Sequence, residues 1–146
     1  MKRVLFVCVH NAGRSQMAQA FFNHLARERG VAAVANSAGT APTERVNPVA
    51  AQAMGEVGLS LEGQRPQQLT PDLAKAADRI ITMGCGVEAD MCPVGTYITE
   101  DWQLADPYGQ PIEVVREVRN AVRSRVEALL DEMRMPSTDS ERQNDE

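Results

Sequence analysis

Residues 4–15 of the chain are Val4-Leu5-Phe6-Val7-Cys8-Val9-His10-Asn11-Ala12-Gly13-Arg14-Ser15. The continuous apolar run Val4–Val9 predicts a buried central strand of a parallel sheet. A short glycine-containing loop follows, and Arg14 stands six positions after Cys8, where a helix is predicted to begin. The stretch therefore has the pattern C-x5-R-S at a junction of strand and helix.

Residues 8–15, called the anion loop below, have the composition of an oxyanion site. A loop of this length can turn its backbone N–H groups toward one centre, where the following helix also directs its positive end. Arg14 supplies a planar fork for two oxygens of a tetrahedral anion. In that field we expect Cys8 to have a lowered pKa and to be the nucleophile, with the Ser15 hydroxyl hydrogen-bonded to it. The expected substrate-binding residues are Val9, His10, Asn11, Ala12, Gly13, Arg14 and Ser15.

A simpler interpretation of the same residues stays open. Cys8 could be a buried structural cysteine at a strand end, and Arg14 a solvated residue at a helix start. The agreement of thiol, spacing, arginine, serine and strand–helix context favours the anion loop.

Strands and helices alternate along the rest of the chain, which predicts an α/β fold with a parallel sheet. We expect one domain over residues 1–135. Residues 136–146, with four acidic side chains against one arginine, are expected to form a disordered acidic tail. The predicted strands are Val4–Val9, Val31–Ser37, Asp78–Met83 and Gly95–Thr99; the predicted helices are Gln16–Arg29, one from Pro48 that ends at Gly58, one from Pro71 to about Ala77, and a long one that opens at Pro111.

Composition narrows the possible partners and location. The 146 residues carry a formal net charge of −5, which disfavours a nucleic-acid partner. The N-terminal apolar run is too short for a signal peptide, and no stretch approaches membrane-spanning length. We therefore expect a soluble, cytoplasmic, monomeric protein that does not bind membranes. Three cysteines in such a chain suggest metal-binding, catalytic or inert buried thiols rather than a structural disulfide framework.

The segment from Val7 to Ala18 resembles the active-site loop of low-molecular-weight protein tyrosine phosphatases and of the arsenate reductases built on their fold. The likeness extends through Ser37-Ala38-Gly39-Thr40, Asn47-Pro48 and Asp106-Pro107. It implies a single three-layer domain, with a four-stranded parallel sheet in the order 2-1-3-4 flanked by helices. It also implies that Asp106, in the only Asp-Pro pair of the sequence, is the general acid that protonates the leaving oxygen. On the sequence alone this pair would indicate a turn.

The other two cysteines distinguish reductase from phosphatase. Cys85 comes directly after the third predicted strand and Cys92 lies seven residues later, an arrangement that resembles thioredoxin-coupled arsenate reductases. The resemblance implies that Cys85 attacks the Cys8 adduct and that Cys92 then forms the redox disulfide Cys85–Cys92. A helix joining the two would have to unwind, because its ends would lie about 10 Å apart and bridged Cα atoms lie within about 7 Å. Inert thiols and a zinc site remain as alternatives, although neither His10 nor His24 falls in a matching pair.

The expected activity is thus reduction of arsenate to arsenite, with phosphate or sulfate as competing anions, thioredoxin as reductant, and no metal or cofactor. In some reductases of this family a potassium ion lies beside the loop, but Gln19 stands where the acidic ligand would be, so we expect little potassium dependence. The main alternative is a low-molecular-weight protein tyrosine phosphatase, which Tyr108 supports as an aromatic after Asp106-Pro107. A non-catalytic anion-binding or redox-sensing module is a third possibility.

Overall fold

A computed structural model of the chain describes residues 1–83 and 100–134. Within these ranges four parallel strands form one sheet in the order β2-β1-β3-β4, which confirms the predicted topology. The strands are β1 (Lys2–Cys8), β2 (Ala33–Gly39), β3 (Arg79–Thr82) and β4 (Glu100–Asp101), and the helices are α1 (Arg14–Arg29), α2 (Pro48–Gly55), α3 (Pro71–Ala76) and α4 (Ile112–Arg134).

Two predicted boundaries are wrong for a local reason. β2 begins at Ala33 rather than Val31, because Gly30 ends α1 in the left-handed conformation (φ 67°) and the Val31 N–H donates to the Ala26 carbonyl (2.8 Å). Val31 therefore completes the cap of α1. The second helix ends at Gly55 rather than at residue 58, because residues 56–58 form a tighter turn, in which the Gly58 N–H donates to the Gly55 carbonyl.

Other predicted boundaries also differ from the structure. β1 spans Lys2–Cys8 and so ends one residue before the predicted Val9, whereas α1 starts at Arg14, two residues before the predicted Gln16. The predicted strand Gly95–Thr99 lies outside the described residues, and the fourth strand that the structure describes is Glu100–Asp101. The proposed tail, residues 136–146, also lies outside them.

The sheet is covered on both faces. Alternate residues of β1 point to opposite sides, so that Val4 and Phe6 join one apolar cluster and Leu5 and Val7 join another. The larger cluster packs against α1, α2 and α4, whose buried residues recur every three or four positions. The smaller cluster includes Ala74 of α3. These layers hold the carboxyl ends of β1, β2 and β3 at one edge of the sheet, where the anion loop lies.

Among residues 1–83 and 100–134, no helix combines the length and the apolar character needed to cross a membrane.

Candidate functional site

The anion loop leaves the end of β1 and curls back into α1. Cys8 is 4% exposed, and Asn11 adopts a positive φ of 51°, a conformation that asparagine tolerates better than most residues. Gly13 is the N-cap of α1, and no side chain caps that helix end. Its first backbone N–H groups are therefore available to an anion rather than to a capping side chain.

The carbonyl groups of this loop are tied to the segment that follows β2. Because a trans peptide is planar, a carbonyl held on the outside of the loop turns the next residue's N–H toward the inside. The described residues contain no cis peptide bond. The outward ties are Thr40 N to Cys8 O (3.2 Å), Ala41 N to Val9 O (2.8 Å), Thr43 N to His10 O (3.1 Å) and Asn47 N to Ala12 O (2.8 Å).

The Cys8 sulfur receives hydrogen bonds from within the loop. The Asn11 N–H donates to Cys8 Sγ at 3.2 Å, and Ser15 Oγ lies 2.9 Å from the same sulfur. Asn11 Nδ2 donates to Ser15 Oγ (2.7 Å), and Asn11 Oδ1 accepts from the Gln67 N–H (2.9 Å), which fixes the orientation of the asparagine amide. Ser15 Oγ is thereby an acceptor from Asn11, so its own hydrogen can point at Cys8. Both contacts favour the thiolate form of Cys8.

Arg14 is anchored from the opposite side of the cleft. Its guanidinium is 6% exposed, and Nη1 donates to the carbonyls of Met83 (2.9 Å) and Leu104 (2.8 Å). Nη2 lies on the side of Asp106, 3.8 Å from its Oδ1. One end of the fork is thus fixed by the ends of the strands, and the other faces the region between Cys8 and Asp106.

Residues 106–108, called the acid loop below, complete the cleft. The carboxylate of Asp106 is 57% exposed and accepts the Tyr108 N–H at 3.0 Å, as in an aspartate-initiated turn. Pro107 packs on Gly13, where an added Cβ would lie 3.0 Å from Pro107 Cγ. Tyr108 is 68% exposed, and its ring centroid lies 6.1 Å from that of His10. The cleft is lined by Cys8, His10, Ala12, Gly13, Arg14, Asn47, Asp106, Pro107 and Tyr108.

The structure brings Cys8, Arg14 and Asp106 to one cleft, and their catalytic roles stay predictions. Cys85 and Cys92 lie outside the described residues, so their predicted places beside Cys8 stay predictions. Within the described ranges, no cluster of three or more His, Cys, Asp or Glu side chains is arranged to hold a metal ion.

Sequence reasoning missed several polar residues that support the site. Asn47 enters the sequence analysis only within the pair Asn47-Pro48; in the structure it caps α2, with its Oδ1 accepting from Val49 N (2.9 Å), and it also lines the cleft. The sequence also gives no role to three glutamines. Gln16 and Gln67 bond to Asn11 of the anion loop, and Gln64 bonds to Gln16. A glutamine, whether in a helix or in a polar loop, gives no local signal of such a contact.

Residues 3–139 match the family described as low molecular weight phosphotyrosine protein phosphatase. The chain belongs to this family. Among curated relatives, the glutaredoxin arsenate reductase of Synechocystis sp. is 41% identical over 131 residues, which cover 89% of this chain and 97% of that protein.

Solved structures of arsenate reductases show the same fold. An arsenate reductase in the phosphate binding state is 38% identical with a TM-score of 0.79, covering 91% of this chain and 99% of that one. The Corynebacterium glutamicum thioredoxin-dependent arsenate reductase is 34% identical with a TM-score of 0.73, covering 91% of this chain and 62% of that one.

Proposed function

We propose that this chain reduces arsenate to arsenite through Cys8, Cys85 and Cys92. The observation that carries the proposal is the Cys8 sulfur, which accepts the Asn11 N–H in a loop whose carbonyls are all held by hydrogen bonds, beside the buried Arg14. Such a site binds a tetrahedral oxyanion and presents a thiolate to its central atom. The family contains both phosphatases and reductases, and the relatives described above that are more than 30% identical carry the name arsenate reductase.

In the first step the Cys8 thiolate attacks the arsenic atom of arsenate. An S–As bond forms and one As–O bond breaks, and that oxygen leaves as water after Asp106 supplies a proton. Arg14 and the loop N–H groups bind the remaining oxygens and stabilise the charge that builds on them. Arsenic is still As(V) in the resulting Cys8 adduct.

In the second step Cys85 attacks the Cys8 sulfur. An S–S bond forms and the S–As electron pair stays on arsenic, which leaves as As(III) in arsenite while the two thiols are oxidised to a disulfide. Cys92 then attacks Cys85, forms the Cys85–Cys92 disulfide and releases the Cys8 thiolate. We propose that a helix between Cys85 and Cys92 opens in this step, which Gly84 and Gly86 would make less costly.

A dithiol reductant must then restore Cys85 and Cys92, and we propose thioredoxin. The thioredoxin-dependent relative from C. glutamicum supports this choice, whereas the Synechocystis relative is named for glutaredoxin. Glutathione with glutaredoxin is therefore the alternative reductant to be tested. Phosphate is the expected competing anion, in line with the arsenate reductase whose structure is in a phosphate binding state.

Phosphotyrosine phosphatase activity is the second candidate, and one observation favours it. Tyr108 is exposed at the mouth of the cleft, where an aromatic side chain could pack against the phenyl group of a substrate. Hydrolysis needs neither Cys85 nor Cys92, so the presence of both cysteines favours reduction. We therefore propose that hydrolysis of aryl phosphates is at most a weak side activity.

We also propose little dependence on potassium. The Ser37 hydroxyl donates to Gln19 Oε1 at 2.5 Å, so the uncharged amide that stands in place of the acidic ligand already accepts a hydrogen bond. Replacing KCl by NaCl at equal ionic strength should leave the KM for arsenate unchanged. A KM that rises several-fold in NaCl would contradict this.

The deciding experiment measures NADPH oxidation with arsenate, thioredoxin and thioredoxin reductase, on wild type and on three serine variants. Cys8→Ser should abolish both arsenate turnover and para-nitrophenyl phosphate hydrolysis. Cys85→Ser should abolish turnover and keep any hydrolysis. Cys92→Ser should release about one equivalent of arsenite and then stop, because no third thiol is present to attack the Cys8–Cys85 disulfide.

Two results would contradict the proposal. If Cys92→Ser turns over as fast as wild type, the three-cysteine relay is wrong. If wild type turns over only with glutathione and glutaredoxin, the thioredoxin coupling is wrong while the chemistry at Cys8 stands.

A further inference from the structure

One carbonyl of the anion loop is held differently from its neighbours. The carbonyls of Cys8, Val9, His10, Ala12 and Gly13 all accept backbone N–H groups. The Asn11 carbonyl instead accepts from a side chain, Gln16 Nε2, at 2.9 Å. Gln16 is fully buried, so this bond is shielded from water.

This bond sets the direction of the next donor in the loop. The Asn11 carbonyl and the Ala12 N–H belong to one planar trans peptide and point in opposite directions. With the carbonyl bound to the buried Gln16, the Ala12 N–H must point away from Gln16, while the N–H one residue earlier, that of Asn11, reaches Cys8. If the peptide rotated, the anion would lose a donor and meet a carbonyl oxygen in its place.

A second glutamine fixes the orientation of the first. Gln64, in the segment after α2, donates from Nε2 to Gln16 Oε1 (2.7 Å) and to the Gln16 carbonyl (3.1 Å). The oxygen end of the Gln16 amide is thereby occupied as an acceptor, so its NH2 end faces Asn11. The Gln64 N–H donates to the Leu61 carbonyl at 3.0 Å, which anchors Gln64 in its own loop.

We propose that Gln16, held in place by Gln64, is a positioning residue that keeps the Ala12 N–H directed at the bound oxyanion. The inference rests on the anion site proposed above, and it concerns the alignment of the loop rather than contact with the substrate. Losing one aligned donor should weaken binding of a tetrahedral anion by about tenfold. It should also make the Cys8 thiolate less favourable, because the same donors stabilise negative charge on the sulfur.

The test uses the full chain in a Cys85→Ser, Cys92→Ser background, so that Cys8 is the only thiol. Gln16→Met and Gln64→Met keep much of the side-chain length and remove the amide. Gln52→Met is the matched control, since Gln52 is exposed on α2 and is not among the residues that bond to the anion loop. The readouts are the Kd for inorganic phosphate by titration calorimetry and the pH dependence of iodoacetamide alkylation of Cys8.

Gln64→Met and Gln16→Met should each raise the phosphate Kd by about tenfold and shift the alkylation profile to higher pH, while Gln52→Met stays within about twofold. Gln64 is only half-buried, so Gln64→Met keeps the test valid if Gln16→Met does not fold. If Gln64→Met matches the background protein in both Kd and alkylation profile, the inference is overturned and the proposed reaction is untouched. A wild type that shows the expected phosphate binding but reduces no arsenate would remove the proposed reaction and leave the inference standing.

Discussion

The anion loop and the acid loop face the same cleft but are held in different ways. Each carbonyl from Cys8 to Gly13 accepts a hydrogen bond, and the loop's central side chain, Asn11, is fully buried. Asp106, by contrast, is 57% exposed, accepts a hydrogen bond from within its own turn, and lies 3.8 Å from Arg14 Nη2. The difference suggests a division of tasks: a preorganised site binds the oxyanion, and a proton donor with freedom to move follows the leaving oxygen.

Arg14→Lys should have the largest effect, because the buried Arg14 is bonded to Met83 O and Leu104 O and also lies between the anion loop and Asp106. A lysine cannot donate to Met83 O and Leu104 O and also offer a planar fork to an anion. We expect kcat/KM for arsenate to fall by about a thousandfold and phosphate binding to weaken strongly. Arg65→Lys, at an exposed position after α2, is the control and should match wild type. A loss of less than tenfold would mean that the loop N–H groups bind the anion without the arginine.

Asp106→Asn should separate the two tasks. Asparagine keeps the size of the side chain and the turn to Tyr108 but supplies no acidic proton, so kcat should fall by about a hundredfold. The phosphate Kd should change by less than about threefold, because an exposed charge 3.8 Å from Arg14 contributes little to a preorganised loop. The measurement is steady-state kinetics beside calorimetry, with the exposed Asp72→Asn as control. Equal losses in kcat and in phosphate affinity would show that the acid loop is part of the binding site.

The two loops also differ in how much of them the sequence could predict. Cys8, Arg14 and Ser15 lie within eight residues at one strand–helix junction, so backbone geometry and chemistry act locally and the pattern is informative. Asp106 was identified by resemblance, since an Asp-Pro pair alone indicates a turn, and in the structure it does form one.

The support beneath the anion loop could not be predicted from local patterns. Gln64 bonds to a residue 48 positions away, and Gln67 to one 56 positions away. Contacts of this kind depend on where the sheet order places the segment after α2, which the residue types there do not reveal. The predicted start of β2 is wrong for a different, local reason, because Val31 caps α1 instead of extending the strand.

Gly39→Ala should disturb the anion loop while leaving the acid loop in place. A Cβ on Gly39 would lie 2.5 Å from the Val9 carbonyl oxygen and 3.0 Å from Asn11 Cβ, and backbone atoms there cannot move aside cheaply. We expect phosphate affinity to fall by about tenfold and the Tm to drop. Gly55→Ala is a matched control, since its Cβ would meet nothing within 4 Å. If Gly39→Ala binds phosphate like wild type, the loop tolerates more displacement than its hydrogen bonds suggest.

Glu56→Gln should have the smallest effect on the site. It tests whether the anion loop loses phosphate affinity when the stability of the whole fold is lowered. Glu56 follows α2 and pairs with Arg116 and Arg119 of α4; the hydrogen bond from Arg116, above all, lowers the pKa of Glu56 to about 2 from 4.5. A carboxyl whose pKa is lower in the folded state stabilises the fold above pH 4.5, and that contribution is lost as the pH falls toward 2. The Tm of Glu56→Gln should therefore lie slightly below that of wild type at pH 7, with the gap narrowing at pH 3.5.

Phosphate affinity at pH 7 decides what the Glu56 result means, with the exposed Glu44→Gln as control. The anion loop is held by bonds to residues 40–47, Gln16 and Gln67, none of which involves Glu56. The phosphate Kd of Glu56→Gln should thus equal that of wild type even where the Tm is lower. A Kd that rises together with the fall in Tm would mean that α2, whose cap Asn47 binds the Ala12 carbonyl, transmits the stability of the α2–α4 contact to the loop.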